Sequence, residues 1–126
     1  MNNWNLFNVL QLYQNNKLLE TYSIYFMTAI YTNGKFYALI RFSKGDIGKN
    51  TDDPMYGVYN AYSDDGYTFY MDESPLLNFE YWPAAGKINI DGKPYTFAYK
   101  NRGEAKLLKL EKNKFVDVER EFKILL

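Results

Sequence analysis

The chain has 126 residues, zero formal net charge, 47% apolar and 24% charged residues, a balance that supports a folded core and excludes a disordered chain. It contains neither Cys nor His, which removes thiol nucleophiles, disulfides, His general bases and nearly all zinc, copper and iron sites. One domain spanning residues 1–126, with no cofactor and no metal, is therefore expected. Aromatic residues reach 19%, with 13 Tyr, 9 Phe and 2 Trp, and such residues favour both strands and binding surfaces.

The opening residues (MNNWNLFNVL) lack the basic stretch of a targeting segment, and the longest apolar run, about Ile24 to Tyr31, is too short to span a bilayer. A soluble, cytoplasmic protein with no membrane partner is the expectation. Trp4, Phe7, Leu10 and Tyr13 fall on helical spacing and predict a short N-terminal helix over 4–13. The competing pattern is a hairpin, Val9–Gln14 with Leu18–Tyr22, turning at Asn15-Asn16-Lys17. Leu10 and Leu12 would fall on the strand face opposite Val9 and Tyr13, which favours the helix.

Thr21 to Ser43 holds two aromatic, β-branched runs around Asn33-Gly34, the strongest short-range hairpin signal. With those two residues in the turn, Tyr31/Phe36, Ala29/Ala38, Met27/Ile40 and Tyr25/Phe42 form an uncharged face. Thr32/Lys35, Ile30/Tyr37, Thr28/Leu39 and Phe26/Arg41 form a mixed one. A slip of one residue would carry Lys35 and Arg41 to the clean face, so the register is well specified.

Ser43 to Pro54 reads as a loop. Tyr56–Ser63 and Tyr67–Met71 predict a second hairpin turning at Asp64-Asp65-Gly66, with positive φ at Gly66. Glu73 to Gly86 predicts a long loop or a short helical turn carrying Phe79, Tyr81 and Trp82, since Pro83 argues against a central strand. Lys87–Ile90 and Lys93–Tyr99 predict a third hairpin on Asp91-Gly92, with Ile88, Ile90, Tyr95, Phe97 and Tyr99 as its apolar face. Glu104–Lys112 is read as a strand, against a competing helix. A three-residue loop Lys112-Asn113-Lys114 would oppose Leu110 with Val116 and Leu108 with Val118, whereas a two-residue turn would oppose Leu108 with Asp117, so the three-residue loop is expected. The resulting fold class is mainly β (α+β): antiparallel hairpins in a small curled sheet, barrel or sandwich, with the N-terminal helix.

Charge is segregated along the chain. No basic residue lies between Lys49 and Lys87, while Asp52, Asp53, Asp64, Asp65, Asp72, Glu73 and Glu80 all do. From Lys87 onward ten basic residues face six acidic ones. Such asymmetry steers partners of opposite charge. The candidate surface is Asp64, Asp65, Asp72, Glu73, Phe79, Glu80, Tyr81 and Trp82, docking a protein with a basic surface and acting as an inhibitor of a nucleic-acid-handling partner. The bland alternatives are acids serving turns or pairing with the basic tail, and Trp82 plugging a loop to the body.

Other chemistries are weaker. Trp82 and the tyrosines suit carbohydrate stacking, and Asp72 with Glu80 is a conceivable carboxylate pair for a hydrolase. Neither Asp64-Asp65-Gly66 nor Asp46–Asp53 shows the spaced oxygen ligands of a calcium loop. Gly45–Asn50 is not a phosphate loop, because Ser43 and Asn50 stand where Gly and Ser/Thr belong. The basic tail with Phe115 and Tyr99 offers nucleic acid a contact, but alternating Lys and Leu is the ordinary pattern of a solvated strand over a core. An interaction module, not an enzyme, is the expectation.

Overall fold

Two sheets account for the architecture of the computed structural model, which describes residues 10–20, 22–44, 56–100 and 103–123. The first sheet contains β1 (Gln11–Gln14), β2 (Lys17–Leu18), β3 (Tyr22–Thr32), β4 (Lys35–Lys44), β5 (Gly57–Ser63) and β6 (Thr68–Met71), in the order β2-β1-β6-β5-β4-β3. The second contains β7 (Trp82–Pro83), β8 (Ile88–Ile90), β9 (Lys93–Lys100), β10 (Glu104–Glu111) and β11 (Lys114–Lys123), in the order β11-β10-β9-β7 with β8 paired to β9. All pairings are antiparallel except β1 with β6.

No helix forms at the N-terminal end of the described residues. Gln11–Gln14 and Lys17–Leu18 instead make the hairpin that competed with it, and residues 4–9 lie outside the described residues. Asn15 and Asn16 both take positive φ, at 54° and 62°, so this is a two-residue turn built by asparagines rather than by Asn-Gly. Beyond Lys44, the loop expected over Ser43–Pro54, with Asp52 and Asp53, also lies outside the described residues.

The first long hairpin keeps its predicted register from Thr32/Lys35 to Phe26/Arg41. A bulge then shifts it, pairing Ile24 rather than Tyr25 with Phe42. Both faces of β4 are buried. Ala38, Ile40 and Phe42 join Leu12, Tyr59, Ala61, Phe69 and Met71 in one apolar cluster. Tyr37 and Leu39, from the face expected to be mixed, join Ile30, Val58, Leu77, Tyr81, Ala98, Leu108 and Phe115 between the two sheets.

The first sheet curls without closing. Tyr22 on β3 donates its hydroxyl to the Leu10 carbonyl at 2.7 Å, and Leu10, Leu19 and Tyr22 pack on the same cluster, bringing the two ends of the sheet together. The second sheet packs over β3, β4 and β5. A buried amide ties the layers: Asn60 donates to the Phe115 carbonyl and accepts from the Phe115 N–H, both at 2.8 Å.

Two details of the second sheet differ from expectation. On β9 the inward residues are Thr96 and Ala98, while Ile90 and Tyr99 are exposed. The space opposite is already filled by Tyr37, Leu39 and Tyr81, so small residues fit there and the aromatic face turns outward. The β10–β11 connection is the two-residue turn, with Lys112 at φ 55° and Leu108 opposite Asp117. Asp117 earns that place by pairing with Lys106 at 2.9 Å, and the surplus residues are taken up near Glu119, at φ 60°.

Candidate functional site

The segment from Asp72 to Tyr81 lies against β5 as a partial strand: Val58 N–H bonds to Leu77 O at 2.8 Å and Leu76 N–H to Val58 O at 2.7 Å. Gly57 permits this approach, because a Cβ there would stand 2.7 Å from Pro75 Cβ and 2.9 Å from Leu77 O. Arg41 holds the far end. Its Nε and Nη2 donate to the Phe79 carbonyl at 3.2 and 2.8 Å, and its guanidinium lies 3.7 Å from the Phe79 ring centroid and 3.6 Å from that of Trp82. Tyr25, swung to this side at the β3 bulge, adds a third ring at 5.4 Å. Burial lowers the Arg41 pKa from its ordinary value, with Tyr25 partly offsetting that effect.

Phe79 and Trp82 are therefore half-buried around a cation of the same chain, and Tyr81 is buried in the core between the sheets. Of the acidic members of the predicted surface, Glu80 stays in this loop between Phe79 and Tyr81, and the other four sit elsewhere. Asp64 and Asp65 cap the β5–β6 turn, and Asp72 and Glu73 follow the other end of β6. Asp64 pairs with Lys35 at 3.7 Å, and Asp72 pairs with Lys114 of the basic tail at 3.5 Å. Both pairs are solvent-exposed and worth roughly 0–1 kcal/mol. Asp65 serves its turn: its Oδ1 accepts from the Tyr67 and Thr68 N–H groups at 2.8 and 2.9 Å and from Ser63 Oγ. Those bonds hold its carboxyl below the usual Asp range, led by Thr68 and then Tyr67. Glu73 and Glu80 are exposed.

Between the two acidic ends runs a row of tyrosines. Tyr13 is opposite Tyr70 across β1 and β6, and Tyr70 is opposite Tyr62 across β6 and β5. Tyr62 in turn is opposite buried Tyr37, so the row continues the inter-sheet face beyond the cover of the second sheet. Tyr62 and Tyr70 remain 37% and 39% exposed. Ring centroids are 5.6 Å apart for Tyr13–Tyr70 and 5.3 Å for Tyr62–Tyr70, with interplanar angles of 33° and 32°, a leaning, mutually supported stack. Lys35 Nζ lies 5.3 Å from the Tyr62 ring centroid.

Where the row meets the β10–β11 turn there is a cleft of about 470 Å³. Tyr62, Asn60, Asp72, Lys112, Asn113 and Lys114 line it. Among the described residues no group of three or more His, Cys, Asp or Glu is placed to hold a metal ion, and no helix is long and apolar enough to cross a membrane. Comparison with known proteins finds no matching family model, curated relative or solved structure.

Tyr13, Tyr62 and Tyr70 were absent from the surface inferred from sequence. Their signal was present: each lies on the strand face opposite the apolar positions Leu12, Ala61, Phe69 and Met71. An aromatic on the polar side of a half-buried strand is the pattern to seek.

Proposed function

We propose that this chain is a non-catalytic interaction module that binds a protein with a basic surface through the Tyr13–Tyr70–Tyr62 row and the acids at its two ends. The observation that carries the reading is the row itself: three rings in register on adjacent strands, Tyr62 and Tyr70 exposed and Tyr13 half-buried, flanked by Asp64 and Asp65 on one side and Asp72 and Glu73 on the other. Rings that already lean on one another lose little freedom on docking, and Tyr offers apolar area together with a hydroxyl. Exposed carboxylates add steering towards positive charge. A blocking role against a nucleic-acid-handling protein follows if the covered surface is the partner's nucleic-acid site.

The test uses Asp64→Lys with Glu73→Lys, both exposed and away from the Asp65 turn bonds. Capture from the source cell, repeated over a salt series, is expected to retain basic proteins with the native chain and lose them with the double variant. Equal capture by both, unaffected by salt, would remove the electrostatic reading.

The cleft supports a second reading, a saccharide held against Tyr62 with Asn60, Asp72 and Asn113 nearby. It moves the carbohydrate expectation from Trp82, whose ring is taken by Arg41, to the β5 tyrosine. A glycan-array hit whose binding survives Tyr62→Ala would refute it.

A further inference from the structure

Edges of sheets present unpaired N–H and C=O groups, and proteins blunt them with shortness, charge or bulges. Three strands at the sheet margins fit that rule. β2 and β7 have two residues each, and β11 (KFVDVEREFK) is densely charged and bulged near Glu119. β3 does not. It is 11 residues long (YSIYFMTAIYT), contains no charge and no proline, and among the described strands pairs with β4 alone.

The hairpin geometry says which groups it leaves open. Asn33 and Gly34 form the two-residue turn, at φ 54° and 78°, so Thr32/Lys35 is a hydrogen-bonded pair. Bonded and non-bonded pairs alternate from there, so the N–H and C=O groups of Tyr31, Ala29 and Met27 point away from β4. Among the described residues no backbone bond outside the β3–β4 ladder reaches them. Two of the side chains there are open as well: Ala29 is exposed and Tyr31, at 61%, is the most exposed large apolar residue described, while Met27 is half-buried.

We propose that this edge pairs with the β3 edge of a second copy of the chain, antiparallel and centred on Ala29, joining the two first sheets into one. The regular segment runs from Phe26, just past the bulge, to Thr32, just before the turn, and Ala29 is its midpoint. A two-fold axis there overlaps the whole segment. Ala29 meets Ala29 of the second copy, where a small side chain lets the backbones close, and Tyr31 meets Met27 of the second copy, a sulfur–aromatic pairing. Because the strand is uncharged, its copy brings no like-charge repulsion, whereas a charged peptide finds no counter-charge along it. The contact is isologous and closes on itself, giving a dimer rather than a fibre. In strand order β4 and β5 separate this edge from β6 and β1, and the two sheet ends meet at Tyr22 and Leu10, outside the segment 26–32, so each copy keeps its tyrosine row.

Sedimentation of the native chain over a concentration series tests this directly, together with Ala29→Lys and Ala29→Cys. The native chain is expected to pass from monomer to dimer as concentration rises. Ala29→Lys sets two ammonium groups face to face on the axis and is expected to weaken dimerisation about tenfold or more. In the pairing proposed, the two Ala29 Cα atoms stand about 5.5 Å apart, within disulfide range. Since the chain has no other cysteine, mild oxidation of Ala29→Cys should give a covalent dimer in high yield, and Asn89→Cys, exposed on β8, should not. A native chain that stays monomeric throughout, a dimer indifferent to Ala29→Lys, or equal cross-linking of the two cysteine variants would overturn the proposal. The cross-link remains decisive if Ala29→Lys fails to fold.

Discussion

The cation–ring contacts at Arg41 and at the tyrosine row differ in nearly everything but their chemistry. Around Arg41 the guanidinium stands 3.6 Å from Trp82 and 3.7 Å from Phe79, inside a residue only 7% exposed. At the tyrosine row, Lys35 hovers 5.3 Å from Tyr62 at the surface. The first closes a loop on its own sheet; the second leaves Tyr62 and Tyr70 partly in solvent. Aromatic content alone therefore does not mark a binding surface. What separates the roles is whether the chain itself supplies the other half of the contact.

Truncation sharpens the contrast. Arg41→Ala removes a buried side chain, the bonds to Phe79 and the stacking on two rings, and is expected to cost about 3 kcal/mol or more in chemical denaturation. Asn60→Leu, which leaves the Phe115 N–H and C=O groups unpaired between the layers, should cost about 2–3 kcal/mol. Gly57→Ala drives a methyl group into Pro75 and the Leu77 carbonyl, and is expected to cost about 1–3 kcal/mol and loosen the loop that carries Phe79. Tyr70→Ala, by comparison, should cost about 1 kcal/mol or less, because its ring is already partly in water. A larger loss there than at Arg41 would reverse the assignment of roles.

The smallest effect is one of pH. Bonds from the Thr68 and Tyr67 N–H groups depress the Asp65 pKa, so its contribution to the turn is complete above the unfolded carboxyl value of about 3.9 and is lost as pH falls through the lower folded value. An NMR titration of the Asp65 carboxyl should place its midpoint below that unfolded value. A midpoint at or above it would contradict the turn bonding.

Local chemistry made much of this legible in the residues. Asn33-Gly34, Asp91-Gly92 and Asp64-Asp65-Gly66 announce their turns because backbone φ demands those residue types. What stayed hidden was set by tertiary context. Arg41 on a strand reads as a solvent-facing residue until a distant loop brings Phe79 and Trp82 across it. Asn15-Asn16 competed with a helical spacing over 4–13, and within its described residues the hairpin prevails. Thr96 and Ala98 face the core because the opposite sheet already fills the gap, which no periodicity within β9 reveals. The acidic ends of the proposed surface were visible in the charge pattern; the tyrosines proposed between them needed the pairing of β1 with β6, distant strands joined in parallel.

The most direct test of the account is the double variant Tyr62→Ser, Tyr70→Ser, assayed for capture of basic protein partners beside its thermal unfolding. The account predicts that capture is lost while the melting temperature falls only slightly. Undiminished capture by a folded double variant would show that the tyrosine row is not the working surface.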